Sequence, residues 1–322
     1  MLKTRAPVRV VAAVVLVTLA AAAWAEPFGF SVNSRGDFND DQMVNALWRV
    51  NLATGESEYI GWTGFLDVEG LAFRSDGALF GADDESNTLL RIRLSDGFGI
   101  PVGSSQHNMG IPIDQRMDFG LTFTCSADLL AVSAARHSLY QVDVETGLLS
   151  LIGSEGSLGV PITDIAERGG VLYGIGRGLD GDGNPDAPNL YRIDPDQATS
   201  ELIGALGAAV SPYNQAGLSF DEQGGLWAIT DRRDVGGQDF NSEILKIDPA
   251  TGAAEMIAES SIVGQESLAI APPAGCEGDP GEAPPAFGDG AVKIPVMQGF
   301  GLSLLVLLLA AAGGWHLRTG RS

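Results

Sequence analysis

The chain has 322 residues, of which 41 are acidic and 19 are basic, so its net charge at neutral pH is −22. A chain this acidic cannot neutralise phosphates, which excludes nucleic acid as a partner. The charge indicates either an affinity for cations and cationic surfaces or simply solubility outside the cell, and the composition leaves both open. Abundant glycine and a modest 19% of charged residues are typical of an all-β protein.

The first 25 residues predict a signal peptide and therefore an exported protein. The segment has a basic start, an apolar stretch and a small-x-small cleavage site, formed by Lys3, Arg5 and Arg9, by Val10 to Ala22, and by Ala23 to Ala25. The mature domain then begins at Glu26.

A six-residue segment occurs five times after the signal peptide. The copies LWRVNL, LLRIRL, LYQVDV, LYRIDP and ILKIDP start at residues 47, 89, 139, 190 and 244. Starts that lie 42 to 54 residues apart indicate an array of structural repeats or a propeller.

Each copy is predicted to be the third of four strands. The segments are short, alternate between apolar and polar residues, and are bounded by glycine, aspartate and proline, as strands are. Four antiparallel strands in about 50 residues form a propeller blade. The predicted first, innermost strands are Val68–Phe73, Asp118–Phe123, Thr163–Glu167, Gln215–Phe220 and Gln265–Ile270.

The two ends of the domain lack complementary strands. Gln265–Ile270 has no strands after it, while Phe28–Asn33 and the two strands that follow have no inner strand before them. Pairing the two ends would complete a blade, close the ring and remove its exposed edges. The sequence therefore predicts an all-β, five-bladed β-propeller over residues 26–273. An open solenoid or a β-sandwich is the alternative, although sandwiches do not repeat in sequence.

Acidic and amide residues stand at the starts of the predicted inner strands, at one mouth of the ring's channel. They are Asp67, Glu69, Asp118, Asp164, Gln215 and Glu266. Crowded carboxylates repel one another unless a cation or a proton relieves them, so we expect a cation or a cationic ligand there. The alternative is that these strand starts are polar only because they bind water.

The arrangement favours a non-catalytic surface or matrix module that binds an unknown surface ligand across an acidic face. No Gly-x-Ser-x-Gly elbow or zinc-binding histidine pair is present in the sequence. The alternative is a metal-dependent hydrolase, of lactonase or glycosidase type, at the channel mouth. Glu69 and Asp118 resemble the channel-mouth acids with which some propeller lactonases hold calcium.

A loop in the fourth blade has the spacing of a calcium ligand set. Oxygen-bearing side chains alternate with residues that let the chain turn, at Asp180, Asp182, Asn184 and Asp186. Calcium takes six to eight such oxygens, but the closing glutamate of an EF-hand is absent, because Tyr191 stands there. The sequence therefore predicts either a solitary Ca²⁺ loop or a solvated turn.

The chain contains two cysteines, Cys125 and Cys276, each of which follows a predicted inner strand. A pair of cysteines in an exported chain suggests a disulfide bond. The two inner strands are not neighbours in the ring, so the pairing stays open.

The sequence changes character after Pro272. Residues 274–293 are rich in proline, glycine and acid and predict a linker, and residues 294–322 form a tail. Gly299 to Leu317 is long and apolar enough to cross a bilayer. Arg318 and Arg321 follow it, which predicts a cytoplasmic C-terminus with the propeller outside.

The tail resembles the IPTL-type C-terminal sorting signals of Gram-negative bacteria, which are relatives of the PEP-type signals. The matching residues are Ile294, Pro295, Val296, Met297 and Phe300, followed by the apolar helix, Arg318 and Arg321. Val296 and Met297 replace the usual Thr-Leu, and Phe300 replaces tryptophan.

This resemblance implies recognition by a membrane-embedded sorting protease, with the protein either tethered to the inner membrane or sorted to the cell surface. A simple membrane anchor is the alternative for the tail. The repeat itself resembles those of uncharacterised bacterial surface propellers, a resemblance that implies no activity.

Overall fold

Short apolar segments separated by glycine and aspartate turns form the strands of the protein. A computed structural model describes residues 27–33, 44–103, 107–112, 115–177 and 188–271. In these ranges the regular structure is twenty β-strands, with no helix that could cross a membrane. The predicted signal peptide, linker, sorting motif and membrane span lie outside the described residues.

The strands form five antiparallel sheets of four strands each, which are the blades of a propeller. Blade two consists of β4 (Val68–Phe73), β5 (Leu79–Asp83), β6 (Thr88–Ile92) and β7 (Gly99–Pro101). Blade three consists of β8 (Phe119–Phe123), β9 (Leu129–Ser133), β10 (Ser138–Val142) and β11 (Leu149–Ile152). Blade four consists of β12 (Ile162–Arg168), β13 (Val171–Gly176), β14 (Asn189–Asp194) and β15 (Thr199–Ala205). Blade five consists of β16 (Gln215–Phe220), β17 (Leu226–Asp231), β18 (Asn241–Ile247) and β19 (Ala254–Val263).

Blade one is built from both ends of the domain, as the sequence predicted. Its order is β20 (Ala269–Ile270), β1 (Phe28–Asn33), β2 (Ala46–Asn51) and β3 (Ser57–Trp62). Gly29 lies opposite Ile270 and Phe30 opposite Ala269, in antiparallel register. The five-bladed fold and its closure are therefore confirmed.

The closing strand is shorter than predicted. Of the segment predicted from Gln265 to Ile270, regular pairing covers β20 alone, with one isolated bridge from Gln265 to Asn33. Between them, the backbone N–H of Val32 donates to the Ser267 side-chain oxygen at 3.0 Å. A side-chain acceptor therefore replaces a backbone ladder partner at this point.

The inner strands pack closely around the axis, and glycine permits this. A Cβ on Gly120 would overlap the backbone of Thr163 and Asp164 in the next blade, and one on Gly217 would overlap Ser267 and Leu268. Backbone cannot move aside as the end of a flexible side chain can, so larger residues here would push the inner strands apart.

Aromatic pairs join neighbouring blades towards the other end of the channel. In each pair, the second strand of one blade contacts the inner strand of the next, edge to face. The pairs are Phe30–Phe73 at 5.4 Å, Phe80–Phe123 at 5.4 Å and Tyr173–Phe220 at 5.5 Å between ring centroids. Such pairs stabilise by about 0.5–1.5 kcal/mol beyond the burial of their area.

Removing the closing strand should open the ring. We expect a chain ended after Gly264 to have a free energy of unfolding at least about 3 kcal/mol below that of a chain ended after Ala271. The reason is that Leu268 and Ile270 are buried, and each such side chain stabilises by about 1.5–3 kcal/mol. Urea unfolding measures the difference. Both chains lack Cys276, so the comparison isolates the strand, and equal unfolding midpoints would contradict the closure.

Candidate binding site at the channel mouth

The loops at one end of the inner strands surround a cavity of about 640 Å³, which we call the mouth cavity. Apart from one glycine, every residue that lines it is charged or carries an amide. They are Asp67, Glu69, Arg116, Asp118, Arg177, Asn214, Gln215, Arg233, Asp234, Gly237, Gln238, Asp239 and Glu266. The volume is in the range of small-molecule sites, whose walls are usually more apolar than these.

Five of the six residues predicted at the mouth line this cavity, namely Asp67, Glu69, Asp118, Gln215 and Glu266. The sixth, Asp164, does not line it and is fully buried in the channel. Its place in the repeat explains this, because Asp164 stands where β8 and β16 have Gly120 and Gly217. That the five lining residues contact a ligand stays a prediction.

Three buried carboxylates form an acid cluster, defined here as Asp67, Glu69 and Asp84. One oxygen of each lies within 4.8 Å of the others, a spacing that could hold a metal ion. Asp67 and Glu69 come from the start of β4, and Asp84 directly follows β5. The neighbouring Asp83 does not join the cluster. Its carboxylate accepts hydrogen bonds from the backbone of Asp67 at 2.8 Å and of Ser86 at 2.9 Å.

Carboxylates of the channel also accept hydrogen bonds from backbone N–H groups at the edge of an inner strand. β8 faces the axis with an edge that has no further strand beside it. There, Phe119 N–H donates to Glu69 Oε2 at 2.6 Å, and Leu121 N–H donates to Asp164 Oδ1 at 2.9 Å. Just before β8, Met117 N–H donates to Asp84 Oδ1 at 2.7 Å. Buried backbone groups need such partners, so these acids have a structural role whatever else they bind.

Burial and mutual repulsion perturb the acid cluster. Burial and, in second place, four neighbouring carboxylates raise the pKa of Glu69 well above its usual value. Burial raises the pKa of Asp84 to about 7, although the hydrogen bond from Met117 lowers it. Ionised carboxylates are therefore disfavoured here unless a positive charge joins them.

Two further acids of the mouth cavity, Asp118 and Glu266, lie beside arginines. Burial raises the pKa of Glu266 well above its usual value, even though the positive charge of Arg233 lowers it. Burial also raises the pKa of Asp118, against the opposite effects of Arg177 and Arg116. Asp118 has a φ of 49°, in the left-handed region that aspartate tolerates better than most residues.

The three arginines were not predicted, and they make the mouth mixed in charge rather than uniformly acidic. Arg233 is already paired, since its guanidinium contacts Asp231 at 2.7 Å and Glu266 at 3.0 Å. Arg177 donates to the side-chain oxygen of Asn214 at 2.7 Å, and Arg116 is exposed. Arg177 is the first residue after β13 and Arg233 the second after β17, each the second strand of its blade, a position that could have signalled them.

Asp164 bridges the two inner strands that flank its own, β8 and β16. Its carboxylate accepts backbone hydrogen bonds from both flanking inner strands, from Leu121 at 2.9 Å and from Leu218 at 2.7 Å. Burial raises its pKa well above the usual value, although these hydrogen bonds lower it. Beyond it, the channel contains a space of only about 60 Å³ among mostly apolar side chains.

Two other predicted sites fall wholly or partly outside the described residues. The loop with Asp180, Asp182, Asn184 and Asp186 lies in the undescribed range 178–187. Cys125 carries a disulfide bond, and Cys276, the other cysteine of the chain, lies outside the described residues.

The sequence matches no known protein family and no curated protein. Among solved structures, the fold is similar to a chain in the crystal structure of a nidogen/laminin complex. That match has 13% identity and a TM-score of 0.46, and covers 76% of this chain and 98% of that one. A protein of unknown function from Bacteroides caccae is similar at 9% identity and a TM-score of 0.47, covering 76% and 99%. The assignment as a five-bladed propeller rests on the strand order of the five sheets.

The raised pKa values predict how stability depends on pH when no divalent cation is present. The pKa of Asp84 is about 7 in the folded protein, against an ordinary value of 3.8. At a pH between these two values, the Asp84 carboxyl group therefore holds a proton in the folded state and has lost it in the unfolded state. This contribution is complete below pH 3.8 and disappears as the pH rises through about 7.

We therefore expect the free energy of unfolding in EDTA to fall from mildly acidic to mildly alkaline pH, and the Asp84→Asn variant to fall less. Each unit of difference in pKa corresponds to about 1.4 kcal/mol. Urea unfolding across this range measures the slope. The exposed Glu222→Gln is the control, which should keep the wild-type slope. An equal slope for Asp84→Asn would show that its carboxyl group does not titrate differently in the folded protein.

Proposed function

We propose that this protein is a non-catalytic binding module that holds its ligand in the mouth cavity. The observation that carries the proposal is the cavity itself, a space of about 640 Å³ that opens at the mouth and has a polar, charged lining. It is lined by several loops held in place by a rigid ring of sheets, which is where binding sites commonly lie. None of its described lining residues is a serine, cysteine, histidine or lysine.

A positive charge is the feature that the ligand must bring. The acid cluster is buried, its carboxylates lie close together, and burial and neighbouring acids raise the pKa of Glu69. A cationic group at this point would replace protons and relieve the repulsion. This requirement gives the site its selectivity, because a neutral ligand would leave the acids as they are.

A metal-dependent hydrolase is the second candidate, and the spacing of the acid cluster favours it. Three carboxylate oxygens within 4.8 Å, beside an open cavity, suit a bound divalent ion that could activate water. The two functions differ in what happens to the ligand. A ligand of a binding module is recovered unchanged after incubation, whereas a hydrolase converts it.

The test starts from a screen of small polar compounds by thermal shift against the full-length protein. We expect ligands whose stabilising effect is lost in Glu69→Gln and kept in the exposed Glu222→Gln. NMR of the recovered compound, with and without added divalent cations, then shows whether it was consumed. Metal-dependent turnover that is lost in Glu69→Gln would show that the protein is a hydrolase and not a binding module.

We propose that calcium binds separately, in the loop from Asp180 to Asp186, which lies outside the described residues. Its alternating oxygen-bearing side chains support it, and extracellular sites of this kind bind calcium at roughly 10⁻⁴ to 10⁻³ M. The acid cluster is then left for an organic cation rather than for calcium.

We expect calcium to raise the melting temperature of the full-length protein, since a cation that binds the folded state alone stabilises by about 2.7 kcal/mol at a hundredfold excess over its Kd. The shift should vanish in Asp182→Ala and persist in Glu69→Gln. Differential scanning calorimetry measures both variants. The reverse pattern would assign calcium to the acid cluster, and no shift in the wild type would make the loop a solvated turn.

The proposal includes export and a C-terminal tether. The predicted signal peptide and the apolar Gly299 to Leu317 with its basic end support an inner-membrane tether, with the propeller outside. The tail's resemblance to IPTL-type signals supports a membrane-embedded sorting protease as the partner, with possible transfer to the cell surface. The disulfide of Cys125 suits an exported protein.

A reporter fused after Ser322 tests this topology. We expect a protease added from outside to leave the reporter intact while it digests one fused before Ile294, because Arg318 and Arg321 hold the C-terminus in the cytoplasm. Immunoblotting of spheroplasts measures both. Digestion of the C-terminal reporter would contradict the topology. If sorting occurs, Pro295→Ala should accumulate unprocessed precursor.

A further inference from the structure

The channel has a second end, opposite the mouth cavity, which we call the lower opening. The five inner strands end there, at Phe73, Phe123, Arg168, Phe220 and Ile270. The small space of about 60 Å³ at this end is lined mostly by apolar residues of these strands. Unlike the mouth cavity, the lower opening therefore offers an apolar surface to whatever covers it.

The C-terminal part of the chain, from residue 272, is attached at two points, and both lie at the lower opening. Ala271 is the last described residue and directly follows β20. Cys125 is the second residue after the end of β8, and it carries a disulfide bond. Since Cys276 is the only other cysteine, the bond within one chain joins Cys125 to Cys276.

Hydrogen bonds hold Cys125 in position. It lies in a tight turn, in which Thr124 N–H donates to the Asp128 carbonyl at 2.9 Å. Its own N–H donates to Glu167 Oε2 at 2.6 Å, and the other oxygen of Glu167 accepts from Gly170 N–H at 2.6 Å. Glu167 thus joins the turn after β8 to the turn after β12, so the disulfide is anchored to two blades.

The length of the attached segment limits its path. Five peptide units separate Ala271 from Cys276, and they span at most about 18 Å when fully extended. The two Cα atoms of a disulfide lie only about 4.4–6.8 Å apart. Ala271 follows blade one and Cys125 belongs to blade three, and these blades are not neighbours in the ring. A straight path between them runs over the channel, whereas a path around the turns of blade two would be longer.

Residues 272–276 also have the chemistry to cover an apolar surface. Their sequence is PPAGC, without a charged side chain, and the first charged residue, Glu277, comes directly after the cysteine. Proline lacks a backbone N–H, and two prolines in succession favour an extended chain. Proline-rich segments pack against aromatic side chains, and Phe73, Phe123 and Phe220 line the lower opening.

We propose that residues 272–276 lie across the lower opening and pack against its apolar lining, held there by a disulfide between Cys125 and Cys276. The occupant of this surface is the chain's own segment rather than a partner. The disulfide secures the short closing strand β20 to blade three, and the chain leaves the propeller opposite the mouth cavity. In a protein tethered as proposed above, the mouth cavity then faces away from the membrane.

Photo-crosslinking in the full-length protein tests the path. Benzoylphenylalanine in place of Ala274 should crosslink to Phe73 and to Phe220, which mass spectrometry of the digested protein identifies. Phe220 is the more informative of the two, because it belongs to blade five and is reached only across the channel. The same amino acid in place of Ala286 is the control and should show no preference for these two residues. Crosslinks from position 274 to the turn at residues 75–77 instead, or no such preference, would overturn the proposal.

The disulfide is tested separately. Digestion without reductant should yield the peptides of Cys125 and Cys276 linked within a monomer, and a link between two chains would overturn the proposal. In Cys276→Ser, amide hydrogen exchange at residues 268–271 should become at least about tenfold faster, because the closing strand loses its covalent attachment. The exposed Glu222→Gln, in the corresponding turn of blade five, is the control and should leave the exchange unchanged. Unchanged exchange in Cys276→Ser would overturn the role of the disulfide.

The two experiments support each other without depending on a ligand. Crosslinking keeps both cysteines, so it decides the path even if Cys276→Ser does not fold. Neither measurement involves the mouth cavity, so the proposal can fail while the binding function stands, and the reverse.

Discussion

The structure depends on how five inner strands come together around one axis. Each is the edge of its sheet, so the backbone N–H groups that point towards the axis need acceptors that no further strand provides. Asp164 meets this need for two strands at once, because it accepts from Leu121 in β8 and from Leu218 in β16. The close approach of the Gly120 backbone to Asp164 makes the bridge to β8 possible. One buried carboxylate thus joins three blades.

The same constraint explains why the mouth is acidic. Glu69 accepts from Phe119 and Asp84 accepts from Met117, so both continue the series of carboxylates along the edge of β8. Carboxylates are strong acceptors for backbone N–H groups, but each adds a charge that burial disfavours. These hydrogen bonds add a structural role to the alternative that the strand starts are polar because they bind water. The acids accept hydrogen bonds from the backbone. The crowding of their charges follows from this structural role.

The sequence predicted the scaffold better than the site because the two depend on different kinds of information. Five repeats with an inner strand missing at one end determine the blade count and the closure, since unpaired edges are unfavourable. The depth of Asp164 could have been predicted from the same repeat, because it stands where two other inner strands have Gly120 and Gly217. Arg177 was missed because the repeat marks strands, and does not show which of the residues after a second strand will line a cavity. Its importance comes only from the cavity into which the ring brings it.

Electrostatic magnitudes indicate what the mouth selects. Two ionised carboxylates about 4 Å apart repel by about 4 kcal/mol at an effective dielectric constant of 20. A neutral hydrogen bond contributes about 1 kcal/mol, so those from Phe119 and Gln215 cannot offset the repulsion around Glu69. Only a proton or another positive charge can. Burial raises the pKa of Asp84 to about 7, so a proton supplies part of this compensation near neutral pH. The geometry that satisfies the inner strands thereby crowds carboxylates whose repulsion a proton or a cationic group of a ligand would relieve.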